Sequence, residues 1–302
     1  MSSATASIDA QNSEALASAD TVAACLHRAT RALAGRSESA RLDAELLLGK
    51  VLQLTRSALR IHGGDAVQPE DRRGYEQLIA QRAAGVPIAY LTGVREFWSL
   101  DLHVTPDVLV PRPETELLVE LALQRLPLDR ARTVLDLGTG SGAIALAIAT
   151  ERPLAKLMAV DVSPQALAVA AANASRLGLD RIEWRASSWF DALDGLTFDL
   201  IVSNPPYVAG NDPALEQLAH EPRLALASGA AGLDALRVIA ENAAAHLQPG
   251  GWLLLEHGHT QDAEVAALLQ RQGFDGVTSH VDYSGKPRVT LGTVHHTRDT
   301  YQ

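Results

Sequence analysis

The chain has 302 residues, of which 47% are hydrophobic and 21% charged, an ordinary composition for a globular protein of two domains. A formal net charge of -10 offers no general attraction to phosphate, and the lone Cys25 excludes an internal disulfide framework. Because the sequence shows neither a signal-peptide pattern nor an apolar run approaching the roughly 18 residues of a membrane span, we expect a cytoplasmic protein that binds no membrane and contacts no nucleic acid directly.

The N-terminal part of the chain has the punctuation of helices. An apolar periodic stretch follows Asp20, and apolar residues recur at helical spacing in "SESARLDAELLLGKVL", for which Ser37 or Ser39 would be the cap. A further helix begins near Pro69 and ends at the stop signal Gly85. These patterns predict a small helical domain.

The next segment, "REFWSLDLHVTPDVLV", has the aromatic and β-branched content of strands and predicts a hairpin. After it, Pro113 stands near the first turn of another predicted helix. We therefore assign residues 1–20 and 295–302 to disordered ends, 21–86 to the helical domain, 87–112 to a β-hairpin linker and 113–294 to a second domain.

From Thr133 onward, strand and helix patterns alternate. The strands include "TVLDLG", "KLMAVDV", "IEWRA", "FDLIVS" and "GWLLLEHG", and most are separated by helical stretches. This alternation predicts an α/β domain with a mostly parallel sheet covered on both faces. Two final runs, "GVTSHVDYSG" and "PRVTLGTV", predict an antiparallel edge hairpin. In such sheets ligands bind at the carboxyl ends of the strands.

A glycine-rich loop follows the first of these strands. Gly138, Gly140 and Gly142 alternate in "VLDLGTGSGAIA", where they lead into a helix and let a ligand approach the backbone. The pattern also fits a loose dinucleotide fingerprint or a simple tight turn. Asp136 precedes the loop, and Asp161 ends the next strand at the spacing of an acid that hydrogen-bonds ribose hydroxyls. A nucleoside-bearing cofactor is the prediction.

Two of these site residues have simpler interpretations. Asp161 could cap the helix that starts at Ser163, although Ser163 is itself an adequate cap. Trp189, in "SSWF" after the third strand, could be a core anchor or could offer a flat face to an adenine.

The most specific stretch is "FDLIVSNPPYV", a buried strand that ends in a stiff polar corner. Pro205 and Pro206 restrict the backbone, so the Asn204 side-chain oxygen and the Pro205 carbonyl can both accept hydrogen bonds from a substrate NH2 group. Tyr207 would stack on the planar group. The alternative is a rigid turn that merely ends the strand.

Together, "LDLGTGSGAIA", Asp161 in "AVDVSPQALAVA" and "SNPPYV" resemble the class I S-adenosylmethionine-dependent methyltransferases that modify planar nitrogen. Upstream, "PIAYLTGVREFWSLDLHVTPDVLVPRPETELLVE" resembles the linker of the peptide-chain release factor glutamine N5-methyltransferases, the HemK/PrmC family. The resemblance covers roughly residues 40–293. Two departures are Ser188, where family members often have Asp, and Ser99, where they often have Gly.

The resemblance implies the fold, cofactor and site. The fold would be a seven-stranded class I methyltransferase domain after a helical substrate-binding domain, and the cofactor S-adenosyl-L-methionine, converted to S-adenosyl-L-homocysteine. No metal is implied, and His257 and His259 would be packing or loop residues. The cofactor-binding residues would be Gly138, Thr139, Gly140, Ser141, Gly142, Asp161, Trp189 and Asn204; the catalytic residues Asn204, Pro205 and Tyr207; and the substrate-binding residues these three with Pro206.

The implied partner is a class I peptide-chain release factor, whose Gly-Gly-Gln glutamine would be methylated by a monomeric enzyme. The "PRPETE" stretch, with Arg112 and Glu116, would line the cleft between the domains, or it would simply be a helix start with solvated acids. Other interpretations remain open: a nucleic-acid amino methyltransferase, a nicotinamide oxidoreductase, and a release-factor-binding module without catalysis.

Overall fold

A computed structural model describes residues 20–294, which divide after Gly93 into two compact units. The ends predicted to be disordered lie outside the described residues, except for Asp20.

The first unit is helical, as predicted. Apolar side chains at helical spacing, among them Leu33, Leu47, Leu48 and Tyr75, meet in one buried cluster. Two short helices were not predicted, because six and five residues are too few to show a helical period. The helices are α1 (Val22–Leu33), α2 (Ala40–Leu52), α3 (Arg56–Ile61), α4 (Pro69–Ala83) and α5 (Ile88–Thr92).

The predicted cap of α2 is wrong. Ser39 precedes the helix, but its side chain makes no capping hydrogen bond. The Ser37 and Ser39 hydroxyls instead donate to the buried carboxylate of Asp43, at 2.7 and 3.0 Å, and Arg82 Nε donates to the same group at 2.7 Å. A buried charge needs these donors more than the helix end needs a cap.

The second unit begins with the predicted hairpin and continues as alternating strands and helices. Its strands are β1 (Val94–Phe97), β2 (Leu100–His103), β3 (Thr133–Leu137), β4 (Lys156–Asp161), β5 (Glu183–Ala186), β6 (Phe198–Ser203), β7 (Leu247–Glu256), β8 (Asp275–Val281) and β9 (Pro287–Thr293). Its α-helices are α6 (Glu116–Leu123), α7 (Ala143–Glu151), α8 (Pro164–Leu177), α9 (Ala214–Gln217), α10 (Asp234–Ala243) and α11 (Asp262–Arg271), and short 3-10 turns cover Pro113–Thr115, Arg223–Ala225 and Ala244–His246.

The main sheet has seven strands in the order β5-β4-β3-β6-β7-β9-β8. The pairs from β5 to β7 are parallel, whereas β9 runs antiparallel to both β7 and β8. This arrangement confirms the predicted class I methyltransferase sheet with its antiparallel edge hairpin. Since β5, β4, β3 and β6 are parallel neighbours, the loops after them share one edge of the sheet.

Both faces of the sheet are covered. Val134 of β3 packs into one core cluster with Leu146 of α7, and the next residue, Leu135, packs into a second cluster with Leu236 of α10. This alternation is the period of two that a strand imposes. Among residues 20–294, none of the helices is both long and apolar enough to cross a membrane.

Candidate active site

A cavity of about 330 Å³ lies in the second unit at the shared carboxyl edge of β3, β4, β5 and β6. We divide its wall into two halves. The glycine-loop half includes Gly138, Thr139, Gly140, Ser141, Asp161, Ser188 and Trp189, and the asparagine half includes Arg112, Thr115, Asn204, Pro206 and Leu224.

The glycine loop has the left-handed backbone that only glycine adopts without strain, with φ of 70° at Gly138, 55° at Gly140 and 82° at Gly142. Gly142 faces away from the cavity, where a Cβ would lie 3.1 Å from the Ala170 methyl. Gly140 lines the cavity, and a Cβ there would meet no atom within 4 Å. The loop therefore exposes backbone to a ligand on one side and packs tightly on the other.

Asp136 supports this loop from behind. It is fully buried, and the Thr139 hydroxyl donates to its Oδ2 at 2.6 Å. Burial raises the pKa of the Asp136 carboxyl to about 7. Asp136 is absent from the described lining of the cavity, so its contribution is to hold Thr139 and the loop in place.

Asp161 ends β4 and lines the cavity. Its Oδ2 accepts a hydrogen bond from the Gly140 N–H at 2.9 Å, and its Oδ1 accepts one from the Ser163 N–H at 2.9 Å. Burial raises its pKa, whereas these backbone donors lower it. The Ser163 hydroxyl itself caps α8 by accepting from the Ala166 N–H at 3.1 Å. Capping of α8 therefore does not account for the presence of an acid at position 161.

Trp189 fits both of its predicted interpretations. It packs partly against the second core cluster and also lines the cavity. Its φ of 50° is unusual for a bulky residue, and its ring lies close to Gly138, where an added Cβ would be 3.6 Å away. The Ser187 hydroxyl donates to the Trp189 carbonyl at 3.0 Å and helps to fix this conformation.

The corner after β6 forms the centre of the asparagine half. Asn204 Nδ2 donates to Thr115 Oγ1 at 3.1 Å, which leaves Asn204 Oδ1 as the acceptor of that side chain. Pro206 lines the cavity, while Pro205 is buried. Tyr207 is not in the described lining, because its ring packs against the second core cluster and its hydroxyl donates to Glu256 Oε1 at 3.2 Å.

Glu256 ends β7 and is 1% exposed. Burial raises the pKa of its carboxyl to about 7, although hydrogen bonding by Thr115, the charge of Arg288 and the Tyr207 hydroxyl lower it. Sequence reasoning missed both Thr115 and Glu256. An acid that ends the apolar run "WLLLE" was a signal for Glu256, whereas nothing in the local sequence marks Thr115.

Arg112 and Glu116 have separate roles. Arg112 lines the cavity and pairs with the buried Glu221 at 2.5 Å, and Glu221 also accepts from the Val110 N–H at 3.1 Å. Glu116 Oε1 accepts from the Trp98 N–H at 3.0 Å and so ties α6 to the turn of the hairpin.

His257 is a packing residue in this structure. It is fully buried, and its ring nitrogens contact the Gly258 carbonyl at 2.9 Å and the Thr290 hydroxyl at 2.8 Å. Burial lowers its pKa, which favours the neutral ring. Within the described part of the chain, no three or more His, Cys, Asp or Glu side chains are grouped so as to hold a metal ion.

Two protein-family models match the chain. Residues 24–93 match the "PrmC N-terminal domain", and residues 114–279 match the "Methyltransferase small domain". The first match falls in the helical unit and the second contains the cavity.

Curated proteins with similar sequences include release factor glutamine methyltransferases. The protein of that name from Xylella fastidiosa strain Temecula1 is 52% identical over 254 residues, which cover 83% of this chain and 92% of the relative. The one from Salmonella typhimurium is 47% identical over 269 residues, covering 88% and 96%. Among solved structures, a T. thermophilus 16S rRNA N2 G1207 methyltransferase in complex with AdoMet and guanosine matches with a TM-score of 0.52 and 23% identity, covering 67% of this chain and 50% of that one, which shows a shared fold.

Proposed function

The chain belongs to the release factor glutamine methyltransferase family, and from this premise we propose the reaction, the cofactor and the site. The enzyme transfers a methyl group from S-adenosyl-L-methionine to the side-chain amide nitrogen, N5, of the glutamine in the Gly-Gly-Gln motif of class I peptide-chain release factors. Identities of 52% and 47% over more than nine-tenths of each relative's length support this proposal.

The glycine-loop half of the cavity suits S-adenosyl-L-methionine. Asp161 presents a carboxylate that can accept hydrogen bonds from ribose hydroxyls, and the backbone of residues 138–141 allows the methionine moiety to approach closely. Trp189 offers a ring face for the adenine. When bound, the cofactor supplies a methyl group attached to a positively charged sulfonium, and the negative charge of Asp161 is compatible with that cation.

The asparagine half suits the substrate amide. Asn204 Oδ1 is the acceptor that Thr115 leaves available. We propose that Asn204 Oδ1 and the Pro205 carbonyl accept hydrogen bonds from the two N–H groups of the glutamine side-chain amide. These contacts would hold the nitrogen in line with the methyl group, with Tyr207 fixing the corner. Catalysis then comes mainly from positioning, and the proton of the methylated nitrogen leaves to water.

The observation that carries the proposal is the orientation of Asn204. The substrate nitrogen that receives the methyl group carries N–H bonds, so it needs a hydrogen-bond acceptor at this corner. The Thr115 contact leaves Asn204 Oδ1 available as that acceptor. A hydride-transfer site would give the corner no role. A module without catalysis would not need it either, and a nucleic-acid methyltransferase would transfer label to RNA or DNA instead of protein.

The direct test is transfer of labelled methyl from S-adenosyl-L-methionine to a purified class I release factor. A copy of the release factor with alanine in place of the motif glutamine is the matched control. We expect label on the first protein and none on the second. Label on neither, with cofactor binding confirmed by calorimetry, would contradict the release-factor assignment.

The helical unit at residues 20–93 is proposed to bind the release factor away from its reacting loop. Its match to the "PrmC N-terminal domain" model supports a substrate role. That the enzyme is monomeric, is cytoplasmic and contacts no nucleic acid directly stays a prediction.

A further inference from the structure

We propose that Thr115 and Glu256 are positioning residues that determine which end of the Asn204 amide faces the substrate, an inference that rests on the proposed function. Neither residue would touch the methyl group or the nitrogen that receives it. Their role would be to fix the direction of a short chain of hydrogen bonds behind Asn204.

The two ends of an asparagine amide are nearly equal in size but opposite in hydrogen bonding. The oxygen accepts, and the NH2 group donates. A substrate NH2 group needs the oxygen; an amide rotated by half a turn would place NH2 against NH2 and forfeit the hydrogen bond. The shape of the corner alone does not decide between these orientations, so a partner behind Asn204 must.

Thr115 is that partner. It is 4% exposed, and its Oγ1 accepts from Asn204 Nδ2 at 3.1 Å. A hydroxyl has one proton, and a buried hydroxyl must donate it to some acceptor. If that acceptor were Asn204 itself, the amide would present its oxygen to Thr115 and its NH2 group to the cavity.

Glu256 removes this ambiguity. Glu256 is 1% exposed, and its Oε2 is buried without a hydrogen-bond partner among the described residues, so it is a vacant acceptor near the Thr115 hydroxyl, which lowers the pKa of the carboxyl. Above its pKa of about 7 the Glu256 carboxyl is ionised and only accepts, so it draws the Thr115 proton toward itself and turns the Thr115 lone pairs toward Asn204. The Tyr207 hydroxyl donates to the same carboxyl at 3.2 Å. Both polar side chains of the corner, Asn204 and Tyr207, are thus oriented by one buried acid.

A glutamine at this position would keep the shape and lose the polarity. In Glu256→Gln the new NH2 group can donate to Thr115, and the Thr115 hydroxyl is then free to donate to Asn204 Oδ1. The Asn204 amide could populate both orientations, only one of which accepts from the substrate. Thr115→Val removes the hydroxyl at nearly constant volume, whereas Thr115→Ser retains it.

The experiment compares these variants with a matched control, Thr293→Val. Thr293 is also buried, and its hydroxyl donates to the Gly251 carbonyl at 2.9 Å, but it is not among the described residues that line the cavity. For each variant kcat and KM are measured with the release factor, along with Kd for S-adenosyl-L-homocysteine and the thermal midpoint. Thr115→Val and Glu256→Gln should lower kcat by about tenfold or more with Kd for S-adenosyl-L-homocysteine within about twofold. Thr115→Ser should restore most of kcat, and Thr293→Val should lower the thermal midpoint without lowering kcat.

A double substitution separates positioning from general damage. If Thr115 acts through Asn204, Thr115→Val should cause no further loss in an Asn204→Ala background, measured by single turnover with enzyme in excess. An equal loss in both backgrounds, or unchanged kcat in Thr115→Val while the wild type is active, would overturn the positioning proposal alone. A wild type that transfers no methyl group to the release factor would overturn the proposed function and this inference together.

Discussion

The two halves of the cavity are each supported by a fully buried carboxylate, but they are built differently. Asp136 stands behind the glycine loop and Glu256 behind the Asn204 corner, and burial raises the pKa of each to about 7. The partner of Asp136 is Thr139, three positions along the same loop. Glu256 instead contacts Tyr207, 49 positions away, and is influenced by the still more distant Thr115. The glycine loop is thus held by a carboxyl of its own segment, whereas the Asn204 corner is held by a carboxyl from a distant strand.

This difference predicts how the halves respond to substitution. Changes in the glycine-loop half should alter cofactor binding or local stability, since its residues line the part of the cavity that suits the cofactor. Changes in the asparagine half should lower turnover and leave cofactor binding nearly intact, since its contacts orient the acceptor.

The largest effect should come from Asn204→Ala. Loss of the acceptor that orients the substrate amide should lower kcat by about 100-fold or more, the range seen when one preorganised hydrogen-bonding group is removed from an active site. Labelled methyl transfer to the release factor measures this. Asn242→Ala, at an exposed asparagine whose side chain donates to the Val238 carbonyl at 2.8 Å, is the control and should keep full turnover. A loss below about tenfold for Asn204→Ala would contradict a central role.

A pair of glycine substitutions tests the loop itself. Gly142→Ala forces a left-handed residue and places a Cβ 3.1 Å from the Ala170 methyl, so we expect the unfolding free energy to fall by about 2–4 kcal/mol. Gly140→Ala meets open space, so its stability loss should be about 1–2 kcal/mol while its methyl projects toward the cofactor.

Denaturant unfolding and titration with S-adenosyl-L-homocysteine distinguish the two effects. Gly140→Ala should weaken the binding of S-adenosyl-L-homocysteine even though its loss of stability is small. Similar stability and affinity in both variants would mean that the two sides of the loop are not distinct.

The dependence of stability on pH should differ between wild type and Glu256→Gln. The folded pKa of Glu256, about 7, lies above its ordinary value of 4.5, so its stabilising contribution is complete below the unfolded pKa and is lost as pH rises through about 7. Glu256→Gln should therefore lose less stability than wild type between pH 5 and pH 8, by roughly 1–3 kcal/mol.

Chemical denaturation of both proteins at the two pH values is the measurement. His257, whose pKa burial lowers, acts in the opposite direction because its contribution is lost as pH falls, so the informative quantity is the difference between the two proteins. Equal pH dependence would show that Glu256 is ionised in the folded protein throughout this range. Arg288, Glu114, Thr115 and Tyr207 are the groups that influence its titration.

The smallest effect lies outside both halves, in the turn of the β1–β2 hairpin. Ser99 has a φ of 59°, a left-handed conformation that favours glycine, and Trp98 before it has a φ of 53°. Ser99→Gly should raise the unfolding free energy by about 1 kcal/mol and leave turnover unchanged. A decrease in stability would show that the Ser99 side chain makes a compensating contact.

The fold and the glycine-loop half were largely predictable from sequence because their signals are local. Strand and helix periods gave the order of elements, and the loop glycines lie directly between β3 and α7. The left-handed turn fits the glycine that the family resemblance leads us to expect at position 99. The N-terminal cap of α2 could not be predicted, because the serine hydroxyls donate to Asp43, whose other partner, Arg82, lies 39 positions further along the chain.

The asparagine half was only partly predictable. Rigid prolines marked the corner at residues 204–207, but the partner of Asn204 comes from a 3-10 turn 89 positions earlier and that of Tyr207 from the end of β7. Which hydroxyl meets which carboxyl depends on how these separate segments pack. For the same reason, the contact between the Tyr207 hydroxyl and Glu256 was not predicted, and stacking of the Tyr207 ring on the substrate stays a prediction.

The most direct test of the division of the cavity is calorimetric titration of S-adenosyl-L-homocysteine into wild type, Asp161→Ala and Asn204→Ala. If Asp161 binds the ribose hydroxyls and Asn204 mainly orients the acceptor, Asp161→Ala should weaken binding by about tenfold or more, and Asn204→Ala by no more than about threefold. Full affinity in Asp161→Ala, or a larger loss in Asn204→Ala than in Asp161→Ala, would contradict the assignment of the two halves.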